Sequence, residues 1–121
     1  MNILFYGRIP SKKNNRRIIK KGTRKFSVPS AAYEAWELCE VARLKATLNQ
    51  PKLTNFSLEI TPFLPDNGVR DTDNLLTSIL DCLKTAGVIK DDRWQCMTTP
   101  PKVNQPTIDR LNPRVEVTIS Y

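Results

Sequence analysis

Residues 70–92 read R-D-T-D-N-L-L-T-S-I-L-D-C-L-K-T-A-G-V-I-K-D-D, and the spacing within them organises the rest of the chain. Leu75, Ile79, Leu83 and Ala86 recur at helical intervals, with Leu76 and Leu80 widening the stripe, so a helix is expected over 74–86. Gly87 follows the last periodic residue and marks its C-terminal cap. Upstream, P-D-N-G at 65–68 has the composition of a turn. Before it, residues 54–63 alternate Phe56, Leu58 and Ile60 against Ser57, Glu59 and Thr61, the pattern of a half-buried strand. Downstream, a strand is expected from about Trp94 to Thr99, broken by Pro100 and Pro101. Val115, Val117 and Ile119 alternate along a last strand over 114–120.

The N-terminal third supplies the remaining elements. Residues 2–9 show little polar alternation and predict a strand buried on both faces, ended by Pro10. The segment 11–26 is polar and basic, with a turn at Gly22; Ile18 and Ile19 favour a short hairpin arm over coil. Pro29 and Ser30 introduce a helix over 30–48. Its apolar stripe is expected to be Ala32, Ala35, Trp36, Cys39, Ala42 and Ala46, widened by Leu38, Val41, Leu44 and Leu48. The order strand, basic arm, helix, strand, helix, strand, strand gives one α+β domain over 1–121, with two helices packed on a small mixed sheet.

Composition narrows the chemistry. The chain has 121 residues, no histidine and three cysteines, Cys39, Cys82 and Cys96, none in a C-x-x-C pair. Zinc sites that need histidine and triads with a histidine base are excluded, and the cysteines read as buried thiols of a reducing compartment. No apolar run spans a membrane, and the first nine residues are too short and interrupted for a signal peptide, so a cytoplasmic protein is expected. The net charge is +7. Nine basic residues and no acid lie between Met1 and Tyr33, whereas the remainder carries ten basic and twelve acidic groups. That asymmetry is the footprint of a nucleic-acid partner. Lys12, Lys13, Arg16, Arg17, Lys20, Lys21, Arg24 and Lys25 of the arm are assigned to phosphate contacts, with Arg70 beside them. Asn14 and Asn15 shape the arm's loop or approach the phosphate backbone.

Asp71 and Asp73 are the candidate metal ligands. In an extended segment, positions i and i+2 project to one side, and oxygen-only ligands suit Mg²⁺ or Mn²⁺. Such an ion polarises a phosphodiester and generates a hydroxide nucleophile without histidine. By spacing alone, two acids before a helix more often cap it than bind a metal. An EF-hand does not fit, because Leu75 stands at the next ligand position and the required Gly and Glu are missing. The acidic pair Asp91–Asp92 beyond the helix, with the basic arm, favours a nuclease: cations for the backbone, acids for the ion.

At this point the chain resembles a known family. The 70–92 stretch resembles the signature of the RusA Holliday junction resolvases, small endodeoxyribonucleases of bacteria and prophages, and P-S-K-K-N-N-R at 10–16 resembles their N-terminal P-S-x-N-N-R. The resemblance implies a homodimer that binds four-way junctions and nicks two opposed strands with Mg²⁺ or Mn²⁺, in DNA recombination and repair. Carried over by position, it makes Asp71, Asp73 and Asp92 the essential metal-binding carboxylates, supported by Asp91. Asn74 and Asp81 also match, as a helix cap and an internal hydrogen-bonding group or as outer partners of the metal site. Thr77 departs from the pattern, which has a lysine there; Lys84 is too far along the helix to replace it, leaving Arg70 or an arm residue. A catalytically weak or inactive branched-DNA-binding protein is therefore the alternative. An RNA-binding regulator would leave the aspartates unexplained. A helix over 74–86 is about 20 Å long, so Asp92 reaches the other two acids only by a chain that doubles straight back, or from the dimer partner.

Overall fold

The computed structural model describes residues 1–49, 51–68 and 71–121. Arg70, assigned above to DNA contact, lies outside the described residues. The sheet is built from β1 (Asn2–Tyr6), β4 (Ser57–Leu64), β5 (Lys102–Val103), β6 (Thr107–Ile108) and β7 (Arg114–Ser120). β7 is central: it pairs antiparallel with β1 through Ile3↔Val117 and with β4 through Ile60↔Val117. β5 and β6 add to the far edge of β4 in parallel, so the sheet is mixed as expected. Phe56 at the entry to β4, Leu58, Ile60, Val115, Val117 and Ile119 all face the core, which is the alternation legible in the sequence. β1 corrects its expectation. Only Ile3 and Phe5 are buried, because it is an edge strand covered on one face.

Two helices, α1 (Ala31–Thr47) and α2 (Thr72–Thr85), complete the fold, and their buried residues join the sheet in one core. In α2, Ile79, Leu80 and Leu83 are buried, with Leu75, Leu76 and Ala86 packed against them. Its end is a Schellman cap. Gly87, at φ 77°, donates to Lys84 O, and Val88 donates to Leu83 O, closing the last turn in a conformation glycine adopts without strain.

The face of α1 is a second correction. Ala32, Ala35, Ala42, Ala46, Leu38 and Cys39 lie on the solvent side; Tyr33 and Leu44 are buried, with Trp36, Val41 and Leu48 partly so. Large side chains chose the face, since an alanine removes little apolar area from water. The inward side carries acids as well. Glu37 accepts a hydrogen bond from the Tyr33 hydroxyl, and Arg43 bonds both Glu40 (2.7 Å) and Leu4 O (2.8 Å). Burial and the Glu37 carboxylate push the Tyr33 phenol far above its ordinary value. Cys82 and Cys96 are buried as expected, and burial pushes the Cys82 thiol up to about 12, so it is inert; Cys39 is exposed.

The strand expected at Trp94–Thr99 is a 3₁₀ turn, Trp94–Cys96, with only Met97 bridging to Phe56. Cys96 turns inward while Trp94 stays on the surface. The basic arm is a hairpin, β2 (Arg17–Lys21) and β3 (Arg24–Val28), forming a separate two-stranded sheet. Gly22, at φ 61°, occupies the first position of its two-residue turn.

Candidate active site

Asp71 is the N-cap of α2. Its backbone is extended, and its Oδ1 accepts a hydrogen bond from Asp73 N at 2.9 Å. Asp73 belongs to the first helical turn, so the two acids share a helix end rather than one side of an extended segment. Asn74, expected as a helix cap or as an outer partner of the metal site, is likewise helical and half-buried, so it is not the cap. Both acids face solvent, Asp73 with 68% of its side chain exposed. Capping and metal binding are compatible here, because the capping bond engages one oxygen of Asp71.

The arm docks along α2 beside these acids. The Ser78 hydroxyl, fully buried, donates to Pro10 O at 2.9 Å and accepts from Lys12 N at 3.3 Å. Lys12 Nζ pairs with Asp81 Oδ2 at 2.8 Å, and Lys13 Nζ contacts Asp73 Oδ2. Asp81 is thus an anchor for the arm. Ser11 Oγ accepts from the backbone of Lys13 and Asn14, and Asn15 holds φ 54°, a left-handed conformation that asparagine tolerates. Arg16 then clasps Ser27 Oγ and O at 2.9 Å, locking the loop to the hairpin. A cleft of about 550 Å³ opens beside the helix end, lined by Arg8, Asn14, Phe63, Asp71, Asn74 and Asn104. Arg8 and Asn104 were not singled out from sequence. Arg8 belongs to the basic N-terminal excess, which was the available signal; Asn104 is placed by bonds to Thr61 Oγ1 (2.9 Å) and Ile60 O (2.8 Å), invisible to local pattern.

Asp91 and Asp92 lie at the opposite end of α2. Lys84 Nζ stands 3.2 Å from Asp91 and 3.9 Å from Asp92, and Arg93 Nε lies 2.7 Å from Asp91. The Asp92 backbone N–H bonds Asp91 Oδ1 at 2.8 Å and, with the Lys84 ammonium, holds the Asp91 carboxyl below the usual range. The reciprocal contact raises Lys84. The helix between the pairs has 14 residues, about 21 Å of rise. Among the described residues no three acid, cysteine or histidine side chains gather into a metal cluster. Asp71 meets Asp73, and Asp91 meets Asp92, but one chain does not bring the pairs together.

Two comparisons bear on this arrangement. The family model described as Endodeoxyribonuclease RusA matches residues 8–120, from the arm through both acid pairs to β7. The chain belongs to the RusA family. Membership assigns it to the nucleases. A relative named crossover junction endodeoxyribonuclease RusA, from Aquifex aeolicus (strain VF5), is 34% identical over 90 residues, covering 74% of this chain and 70% of the relative. Asp71 and Asp73 put two exposed carboxylates at one helix end, oxygen donors of the kind that suit a hard divalent cation.

Proposed function

We propose that this RusA chain is a Mg²⁺- or Mn²⁺-dependent endodeoxyribonuclease that resolves four-way DNA junctions by paired phosphodiester cleavage. The observation that carries the reading is the exposed Asp71–Asp73 pair, with the basic arm docked beside it. When bound, the ion supplies Lewis acidity at the scissile phosphate and a nucleophile at neutral pH. Asp71 and Asp73 hold it. Lys13 is the arm residue that brings a positive charge to this helix end, where Thr77 offers none, and it stands ready to meet a phosphate oxygen. The cleft admits the cut strand past Arg8 and Asn14, while Lys20, Lys21, Arg24 and Lys25 hold neighbouring phosphates.

A homodimer completes the site. Asp92, with Asp91 in support, is held about a helix length from Asp71 and Asp73 of its own chain, so these acids act on the ion bound by the partner subunit. Two such sites related by a two-fold axis match the symmetry of a four-way junction. Arg70, next to Asp71 in the sequence, is proposed as a further phosphate contact. No helix among the described residues is long and apolar enough to cross a membrane, in keeping with a cytoplasmic enzyme of recombination and repair.

The test is incubation of a synthetic four-way junction with the protein in Mg²⁺ and in Mn²⁺, with Asp73→Asn as control. Symmetric nicks by the wild type, and binding without nicking by the variant, are expected. Intact junctions in both metals at every protein concentration would remove the enzyme reading. The second reading, a branched-DNA-binding protein without turnover, is favoured by one observation: Thr77 leaves α2 without a cation of its own beside the acids. It expects junction binding, no cleavage, and cleavage gained by Thr77→Lys.

A further inference from the structure

The hairpin β2–β3 stands out from the body. Nine of its ten strand residues are exposed, and Val28 is half-buried. The Arg17–Glu34 ion pair, 2.7 Å, ties its root to α1. Five of the ten strand residues are basic and none is acidic. A hairpin meant only to attract phosphate would need nothing more, yet this one carries three large apolar side chains on its surface. Ile18 is 73% exposed, and Ile19 and Phe26 are each 40% exposed. Ile19 and Phe26 are register partners, so they project together from one face, with Lys21 and Arg24 as the next pair towards the tip.

An isolated two-stranded ribbon is marginal in water, and an apolar pair on its surface calls for cover. Charge decides what covers it. A second copy of the hairpin would set five cations against five, whereas nucleic acid meets the cations with phosphates and the apolar pair with base faces. A two-stranded ribbon has the width of the DNA major groove, and apolar side chains inserted at base steps are an established means of bending duplexes. At the branch point of a four-way junction, stacking is already interrupted, so insertion there disturbs fewest base pairs.

We propose that the Ile19–Phe26 pair is a wedge that packs against the base pairs at the branch point and holds the junction open, while Lys20, Lys21, Arg24 and Lys25 grip the phosphates on either side. The inference rests on the junction-binding reading and adds to it a role for side chains that neither charge nor metal chemistry uses.

The experiment places 2-aminopurine at the branch point of a junction, in the Asp73→Asn background so that nothing is cut. Binding is expected to raise the fluorescence several-fold. Ile19→Thr with Phe26→Thr, which keeps β-forming residues in the hairpin, is expected to abolish that rise. The same variant still binds the junction at saturating protein, more weakly than the parent, with an unchanged slope of affinity against salt. Lys20→Ala with Lys25→Ala should do the reverse, lowering the salt slope by about two and keeping the rise at saturating protein. A full fluorescence rise with the threonine variant overturns the wedge while leaving junction binding intact. A threonine variant that changes from dimer to monomer on sedimentation overturns it in favour of a second copy as the cover. Absence of junction binding by the parent protein would instead remove the functional reading and the wedge with it.

Discussion

The two ends of α2 carry the same chemical group in opposite circumstances. At the N-terminal end, Asp71 and Asp73 face solvent on the positive pole of the helix, and their cation, Lys13, comes from an arm 60 residues earlier. At the C-terminal end, Asp91 and Asp92 are answered from nearby, by Lys84 in the last turn of α2 and by Arg93. Lys84 also suits the negative pole, so this end is neutralised within a few residues. The difference separates acids that stabilise the fold they sit in from acids whose balance depends on a segment docked from elsewhere. Under the proposed function, Asp71 and Asp73 become available to the ion when the arm engages DNA, whereas Asp92 reaches the partner's ion while still balanced within its own chain.

The most damaging way to break this comparison is at the N-terminal end. Asp73→Asn should lower junction cleavage by more than about 100-fold, since loss of a ligand exceeds the 10–100-fold cost of an outer-shell partner. Gel-shift affinity for the junction should stay within a few-fold. The next measurement asks whether the ends meet across a dimer. Asp73→Asn and Asp92→Asn, each inactive alone, are mixed and allowed to exchange subunits. A site shared between subunits leaves one intact centre in each heterodimer, and single-strand nicking should return to roughly a quarter of wild type. No recovery would place Asp92 in the site of its own chain. A smaller effect is expected at the arm. Lys13→Ala removes a cation that competes with the metal for Asp73, so Mn²⁺ affinity by paramagnetic titration should rise about fivefold, the factor for adjacent unit charges in water. Cleavage should fall at the same time, by about tenfold or more if Lys13 takes over the charge at the phosphate. Affinity and rate moving together would show that Lys13 only orders the acid.

How much of this was legible follows from which forces were local. α2 was readable because its apolar stripe and Gly87 report the same helix twice, by burial and by cap. Its start was misjudged by two residues, Thr72 rather than Asn74, although capping by the acids ahead of the helix was legible and Asp71 is the cap. The face of α1 was not readable from apolarity, because alanine counts as apolar yet buries little, while Glu37 and Glu40 turn inward where Tyr33 and Arg43 satisfy them. β5 and β6, two residues each, are below the length at which alternation exists; they are strands only because β4 offers a free edge. At the site, the acids and the arm were visible as charge pattern. The docking of Lys12 on Asp81 and of Lys13 on Asp73 was not, because it depends on Ser78, a buried hydroxyl with no sequence signature.

The smallest expected effect sharpens the comparison from the C-terminal end. Asp91 is held below its ordinary value, so its contribution is complete above the usual carboxylate range and is lost as pH falls through the lowered folded value. Lys84 is raised, so its contribution is complete below the usual lysine range and is lost as pH rises through the raised folded value. Both are therefore present together around neutrality. Lys84→Ala should lower the Tm slightly at pH 7, with the difference from wild type shrinking in strong acid, where Asp91 is protonated, and again in strong alkali, where Lys84 is neutral. A Tm difference independent of pH would mean that Lys84 stabilises α2 through its aliphatic chain rather than through the acids. Releasing the clasp should also loosen Asp92. Cleavage by Lys84→Ala should then fall only modestly, and the same variant should leave junction affinity untouched, because neither acid of this end lies on the arm proposed to hold the DNA.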